Sequence, residues 1–239
     1  MAKILLIETA TEVCSVAVAA DGQLLALAEE TDQPNHAARL TLLIDQCTRE
    51  AGIALAGLDA VALSSGPGSY TALRVGASVA KGICYALDKP LLAIDTLQAL
   101  AAGSRAEAGA SVSASTRFVP MLDARRNEVW TAVYDADLRA LVTAQPLILE
   151  HNMFEDFVRS VPGTDASCVF VVAGNGAKKM RAESFGQNMV VSAVQKCSAK
   201  YFCALAEQFF QRADFQDVSY FEPFYMKSPN ITTSNKPLF

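Results

Sequence analysis

The densest chemical signal in the chain is Ser64-Ser65-Gly66-Pro67-Gly68-Ser69-Tyr70-Thr71-Ala72-Leu73-Arg74-Val75-Gly76. It reads as an apolar strand running into a Gly-Pro-Gly turn that opens a helix. Glycine lets another backbone come close, and free amides at a helix start attract an anion. Two arrangements satisfy these residues: a phosphate-binding loop, or a tight turn that serves helix packing. Arg74 falls on the polar side of that helix, placed for an ion pair within the chain or across an interface. Asp95 and Asp123 stand at strand ends, where a carboxylate can hold a cation or cap the next turn. Histidine occurs only twice, at His36 and His151, too few for a multi-histidine metal site. His36, at a helix start, reads as a surface or interface residue rather than a ligand. The six cysteines form no C-x-x-C pair and mostly sit in apolar runs, which predicts buried, reduced, structural thiols. No Ser/His/Asp set can be assembled, so no catalytic or metal-binding residue is assigned.

The elements that must position these residues follow from periodicity and turn chemistry. Residues 3–9, 14–20 and 24–29 read as strands, the last two joined through Asp21-Gly22, a tight-hairpin signal. Asn35 can cap a helix over 36–51, whose Leu40, Leu43, Ile44, Cys47 and Ala51 form one apolar stripe ended by Gly52. A strand at 60–63, the glycine turn, a helix over 70–87, a strand at 90–94 and a helix from Thr96 complete the unit. The 70–87 helix is apolar on two sides, with Leu73, Ala77, Ala80, Cys84 and Leu87 on one and Val75, Val79, Ile83 and Ala86 on another. That predicts burial on both. The order βββαβαβα has three strands before the first helix, as in the actin, Hsp70 and sugar-kinase type of domain (ASKHA, ribonuclease H-like).

Residues 103–117, rich in Ala, Ser and Gly, read as a linker or long loop. Strands follow at 118–122, 128–134 and 138–143, a helix at 153–161, a strand at 169–173, a short helix at 177–184 and a longer one at 199–213. The expectation is an α/β chain of two ASKHA-like domains, 1–103 and 104–227, with a tail over 228–239 and the last helix packing back on the first domain.

At 239 residues the chain can build one large core or two smaller ones. It is 51% hydrophobic and 19% charged, with a net charge of −5, which excludes disorder and disfavours a stand-alone nucleic-acid binder. Its only short basic clusters are Arg125-Arg126 and Lys178-Lys179. The apolar run Ile4–Ile7 is too short for a signal core or a membrane span, so a cytoplasmic protein without membrane contact is expected.

The glycine-turn stretch resembles the G-P-G-S-[FY]-T-x-L-R-x-G signature of the TsaB family. So do Ile7-Glu8-Thr9-Ala10-Thr11, Asn35-His36-Ala37-Ala38-Arg39-Leu40, the run from Met121 to Trp130, Gly174-Asn175-Gly176-Ala177 and Pro223-Phe224-Tyr225-Met226-Lys227. Ala72 departs from the glycine more usual there. The resemblance implies a non-catalytic scaffold or activator that heterodimerises with a TsaD-like transferase, beside a TsaE-like ATPase. Their joint product would be N6-threonylcarbamoyladenosine at position 37 of tRNAs reading ANN codons, with tRNA bound only through the complex. Thr96 and Leu100 stand where TsaD carries its H-x-x-x-H metal ligands. The family pairs through its first two helices, which implicates His36, Arg39, Leu40, Leu43, Tyr70, Leu73, Arg74, Ala77, Ala80, Lys81 and Cys84. The same surface would form a homodimer without the partner. Glu8, Thr9, Gly66, Gly68, Gly174 and Gly176 correspond to nucleotide loops of the superfamily, read as remnants with at most weak ATP or ADP binding and no required cofactor. The alternatives are a stand-alone enzyme of M22 glycopeptidase or kinase type, and a nucleotide-binding regulator.

Overall fold

The computed structural model describes residues 2–31, 35–150, 153–180 and 188–226. Strand β1 (Lys3–Glu8) is buried from Ile4 onward, as its unbroken apolar run demands of a strand covered on both faces. It pairs antiparallel with β2 (Cys14–Ala20), which pairs with β3 (Gln23–Glu30). Asp21 and Gly22 join these two at φ 49° and 73°, the left-handed pair that a two-residue hairpin requires. Helix α1 (His36–Ala51) starts where the Asn35 side chain accepts the Ala38 N–H at 3.2 Å, and ends at Gly52 with φ 66°. Strand β4 (Ala60–Gly66), helix α2 (Tyr70–Leu87), strand β5 (Leu91–Asp95) and helix α3 (Thr96–Ala108) follow. Asp95 caps α3 by accepting the Gln98 N–H at 2.8 Å.

The second half contains β6 (Thr116–Asp123), β7 (Glu128–Tyr134), β8 (Ala140–Ile148), α4 (Met153–Arg159), β9 (Val169–Ala173), β10 (Met189–Val191) and α5 (Cys203–Gln211). Its sheet order β8-β7-β6-β9-β10 repeats β3-β2-β1-β4-β5 of the first sheet. The pairings repeat too: antiparallel between the first two strands of each half, parallel from the first to its crossover partners. The architecture is duplicated although the sequence shows no repeat.

Four apolar layers hold the sheets. Helices α1 and α2 cover one face of the first sheet, through Leu40, Leu43, Ile44, Cys47, Ala77, Ala80 and Cys84. Helix α5 and the short 3-10 turn before it cover the other, through Phe202, Cys203, Leu205 and Ala206. Helix α4 covers one face of the second sheet with Phe154, Phe157 and Val158. Helix α3 covers its other face, through Leu97, Leu100 and Ala101 against Phe118, Leu122, Trp130 and Tyr134. All six cysteines are buried and unpaired, and burial pushes Cys14, Cys47, Cys84 and Cys203 up to about 11.

Several expectations need correction. The segment 103–117 is no linker, because α3 continues to Ala108 and a 3-10 turn covers Gly109–Ser111. Alanine is the best helix former, so an alanine-rich run extends the helix instead of loosening it. Position 103, the expected domain boundary, therefore lies inside a helix. Strand β8 runs to Ile148, beyond 143; Pro146 is tolerated because β8 is the edge strand of its sheet. The expected helix at 177–184 is a 3-10 turn over Asn175–Lys179, and 181–184 lie outside the described residues. The expected helix at 199–213 splits into a 3-10 turn, Ala199–Phe202, and α5. Strand β10 was missed because three residues carry no readable period. Among the described residues, no helix is long and apolar enough to cross a membrane.

Candidate functional site

In open α/β sheets, ligands collect at the carboxyl ends of parallel strands. Here those ends belong to β1, β4 and β5 in one half and to β6, β9 and β10 in the other. Glu8 closes β1 and is fully buried. One of its oxygens accepts the Ala10 N–H, while Oε2 is buried without a hydrogen-bond partner. Burial raises its carboxyl to about 7, opposed by the Ala10 and Ser64 hydrogen bonds. The Thr9 N–H donates to Ser64 Oγ at 3.2 Å.

The glycines of the turn answer to this chain's own backbone. A Cβ on Gly68 would stand 2.5 Å from the Ala10 carbonyl oxygen, one on Gly76 2.4 Å from Thr9 Oγ1, and one on Gly66 2.5 Å from the Phe224 carbonyl oxygen. Gly66 also holds φ 110°. Of the two arrangements these residues allowed, the tight turn that serves packing accounts for the glycines. In the second half, a Cβ on Gly174 would meet the Met121 carbonyl oxygen at 2.2 Å, and one on Gly176 would meet Val129 Cγ1 at 2.9 Å.

Side chains bridge the two halves. Asn175 Oδ1 accepts the Asp123 N–H at 2.9 Å, and Asn175 Nδ2 donates to Glu12 Oε2 at 3.2 Å. The Tyr134 hydroxyl donates to Asp95 Oδ1 at 3.2 Å. Burial raises Asp95 above the usual carboxylate range, against the pull of the Gln98 and Tyr134 hydrogen bonds. Burial also pushes Asp123 up, but Lys179 at 2.5 Å and the Arg125 N–H at 2.6 Å outweigh it, so its carboxyl sits below the usual range. Asp95 and Asp123 thus serve a cap and an ion pair. Among the described residues, no group of three or more His, Cys, Asp or Glu side chains is arranged to hold a metal. Thr96 and Leu100 are both fully buried.

The outer face of α1 and α2 is different in kind. Between these helices and the loop that follows α1 lies an open groove of about 550 Å³, lined by Thr41, Ile44, Thr48, Ile53, Leu55, Val79 and Ile83 among others. The sequence-assigned interface residues divide here. Leu40, Leu43, Leu73, Ala77, Ala80 and Cys84 are spent on the chain's own core. His36 is corrected from the surface to the interior: it is 7% exposed, and its Nε2 lies 3.2 Å from the Val13 carbonyl oxygen. Arg39 pairs with Glu30 at 2.6 Å. Tyr70, Arg74 and Lys81 face outward and contact the segment after α5. The groove residues Ile53 and Leu55 were missed; their position just past the Gly52 cap was the available signal.

A family model described as TsaD, tRNA N6-adenosine threonylcarbamoyltransferase, matches residues 30–232. The chain is 35% identical over 135 residues to the tRNA threonylcarbamoyladenosine biosynthesis protein TsaB of Escherichia coli, covering 56% of each. The chain thus spans about half the length of that curated relative. Two solved structures from Pseudomonas aeruginosa are similar along their whole length. One, described as a protein with similarity to peptidase YeaZ, has a TM-score of 0.80 at 29% identity and covers 95% of this chain. The other, YeaZ, has a TM-score of 0.78 at 28% identity and covers 94%.

Proposed function

The chain belongs to the family of the TsaD model, in its TsaB/YeaZ group, and on that premise we propose that it is a non-catalytic scaffold subunit in the formation of N6-threonylcarbamoyladenosine on tRNA. In this reading it heterodimerises with a TsaD-like transferase, next to a TsaE-like ATPase, and meets tRNA only through that complex. It needs no cofactor of its own, and it self-pairs when the partner is missing. The observation that carries the reading is the apolar groove on the outer face of α1 and α2, where Val79 and Ile83, half-buried against the core, also line open space. Its crevice offers the opposite: the glycine turns are filled by the chain's own atoms, and Glu8 Oε2 has no hydrogen-bond partner among the described residues. Scaffolding would act by preferring the partner's active conformation and shifting its population.

The test is a modification assay with purified components: this chain, the TsaD-like and TsaE-like proteins of the same genome, threonylcarbamoyl-adenylate, ATP and unmodified tRNA. Modification is expected to require this chain, to survive Glu8→Gln, and to fail with Ile83→Asp. Modification that proceeds without the chain would remove the scaffold reading.

A further inference from the structure

The hairpin between β6 and β7 turns through Ala124-Arg125-Arg126-Asn127. Arg125 and Arg126 hold φ 71° and 50°, the left-handed region where a β-carbon costs conformational free energy. Elsewhere the chain gives such angles to residues with a local reason. Asp21 and Asp88 are of a type that tolerates them, and Leu138 packs into two apolar layers. The two arginines are exposed instead. Their surroundings impose the turn: the Arg125 N–H donates to Asp123 Oδ1 at 2.6 Å, the Glu128 N–H to the Arg125 carbonyl at 3.2 Å, and the Leu149 N–H to the Asn127 carbonyl at 2.7 Å. Strain fixed in this way on an exposed tip marks a place where function chose the residues.

The fold brings charge from the chain's other basic pair to the same turn. Lys179 Nζ donates to Asp123 Oδ1 at 2.5 Å and to the Glu128 carbonyl at 2.9 Å. The carboxylate beside Arg125 is thereby engaged, and Glu12 across the crevice is engaged by Asn175. Among the described residues, neither guanidinium of the turn has a carboxylate within ion-pair distance. An unpaired guanidinium presents a planar fork of donors that fits phosphate oxygens. The crevice beside the turn holds no cradle for a nucleotide's phosphates on this side, since the space a Cβ of Gly174 would take belongs to the Met121 carbonyl. The anion is therefore met on the outer surface. With a net charge of −5, the whole chain repels a polyanion, so such a tip can act only beside a partner that supplies most of the attraction.

We infer that Arg125 and Arg126, steadied beside Lys179, contact the phosphodiester backbone of tRNA when this chain stands in the complex with the TsaD-like transferase. This rests on the scaffold reading and deepens it: the chain places part of the substrate as well as the enzyme. The contact is to backbone, so it fixes position and carries no base preference.

The test is a titration of fluorescently labelled, unmodified tRNA with the complex of this chain and the TsaD-like protein of the same genome, repeated across salt concentrations. Arg125→Asn with Arg126→Gly supplies residues that adopt left-handed angles readily. That double variant is expected to melt no lower than the parent and to bind the transferase equally well. Its complex should bind tRNA about 5-fold or more weakly, with a salt slope smaller by about 1 to 2. Arg125→Lys with Arg126→Lys, which keeps the charge, should retain most of that slope. A folded Asn-Gly variant whose complex keeps the parent affinity and slope overturns the inference and leaves the scaffold reading intact. Loss of transferase binding in that variant would make the turn a protein contact, and weaker ADP binding with unchanged tRNA binding would make it a nucleotide contact; either overturns the inference. If tRNA modification proceeds without this chain, the scaffold reading falls and takes the inference with it.

Discussion

Glu8 carries a testable consequence of burial. Its carboxyl is held at about 7 against an ordinary 4.5, so the folded state binds a proton that the unfolded state releases. Stability from this group is full below about 4.5 and is lost as pH rises through about 7, a difference of about 3 kcal/mol. Glu8→Gln keeps an acceptor for the Ala10 N–H and cannot ionise. Urea unfolding at pH 5 and pH 8 should show the parent chain losing stability between them relative to the variant. Parallel behaviour of the two would mean that Glu8 is solvated or paired after all. The sequence located this residue and its neighbours Gly66 and Gly68, because residue type and strand end are local facts. It did not show that the glycines are required by Ala10 and Phe224, since that is decided by which backbone passes alongside.

Elements were legible where one period or one turn dominates. The hairpin at Asp21-Gly22, the Asn35 cap and the glycine end of α1 all stand where turn chemistry puts them. Helix α3 was only half legible. Its start at the Asp95 cap was readable, whereas its continuation to Ala108 through Gly103, Ser104 and Ala106 was not, because small residues suit a helix packed closely on neighbours as well as a loop. Gly103 shows the packing: a Cβ there would meet the Tyr201 ring at 2.7 Å. The N-terminal end of α3 is fastened across the halves by Tyr134. Tyr134→Phe should lower the unfolding free energy by about 1–2 kcal/mol, read as a lower urea midpoint at an unchanged slope, since it removes the hydroxyl donor from a buried carboxylate. Asp95→Asn, which keeps a cap and an acceptor, should cost less. Equal losses for the two variants would assign the effect to packing instead.

At the scale of the molecule, the chain bridges its two duplicated sheets itself, through Asn175 to Glu12 and Tyr134 to Asp95. The outer side of α1 and α2 carries the open groove. If that surface is where the transferase docks, binding must stabilise this chain by mass action, by about 2.7 kcal/mol at partner concentrations 100-fold above Kd. A thermal melt followed by a probe specific to this chain should therefore move upward as the transferase is added, and should not move for Ile83→Asp. No upward shift for the parent chain would count against docking at this surface.

What the sequence determined by itself was the class and order of elements, the absence of a histidine cluster, the glycine turns and the family resemblance. All of these are written in neighbouring residues, where spacing, turn preference and side-chain type act over a few positions. What only the tertiary structure decided was which side of each helix is spent on the core. It also seated His36 against Val13, used Asp123 for Lys179, and brought residues 216–226 back over α2. Those outcomes depend on pairings between residues dozens to more than a hundred positions apart. The chain settles them by the net burial and hydrogen bonding of the whole fold, which no local pattern encodes.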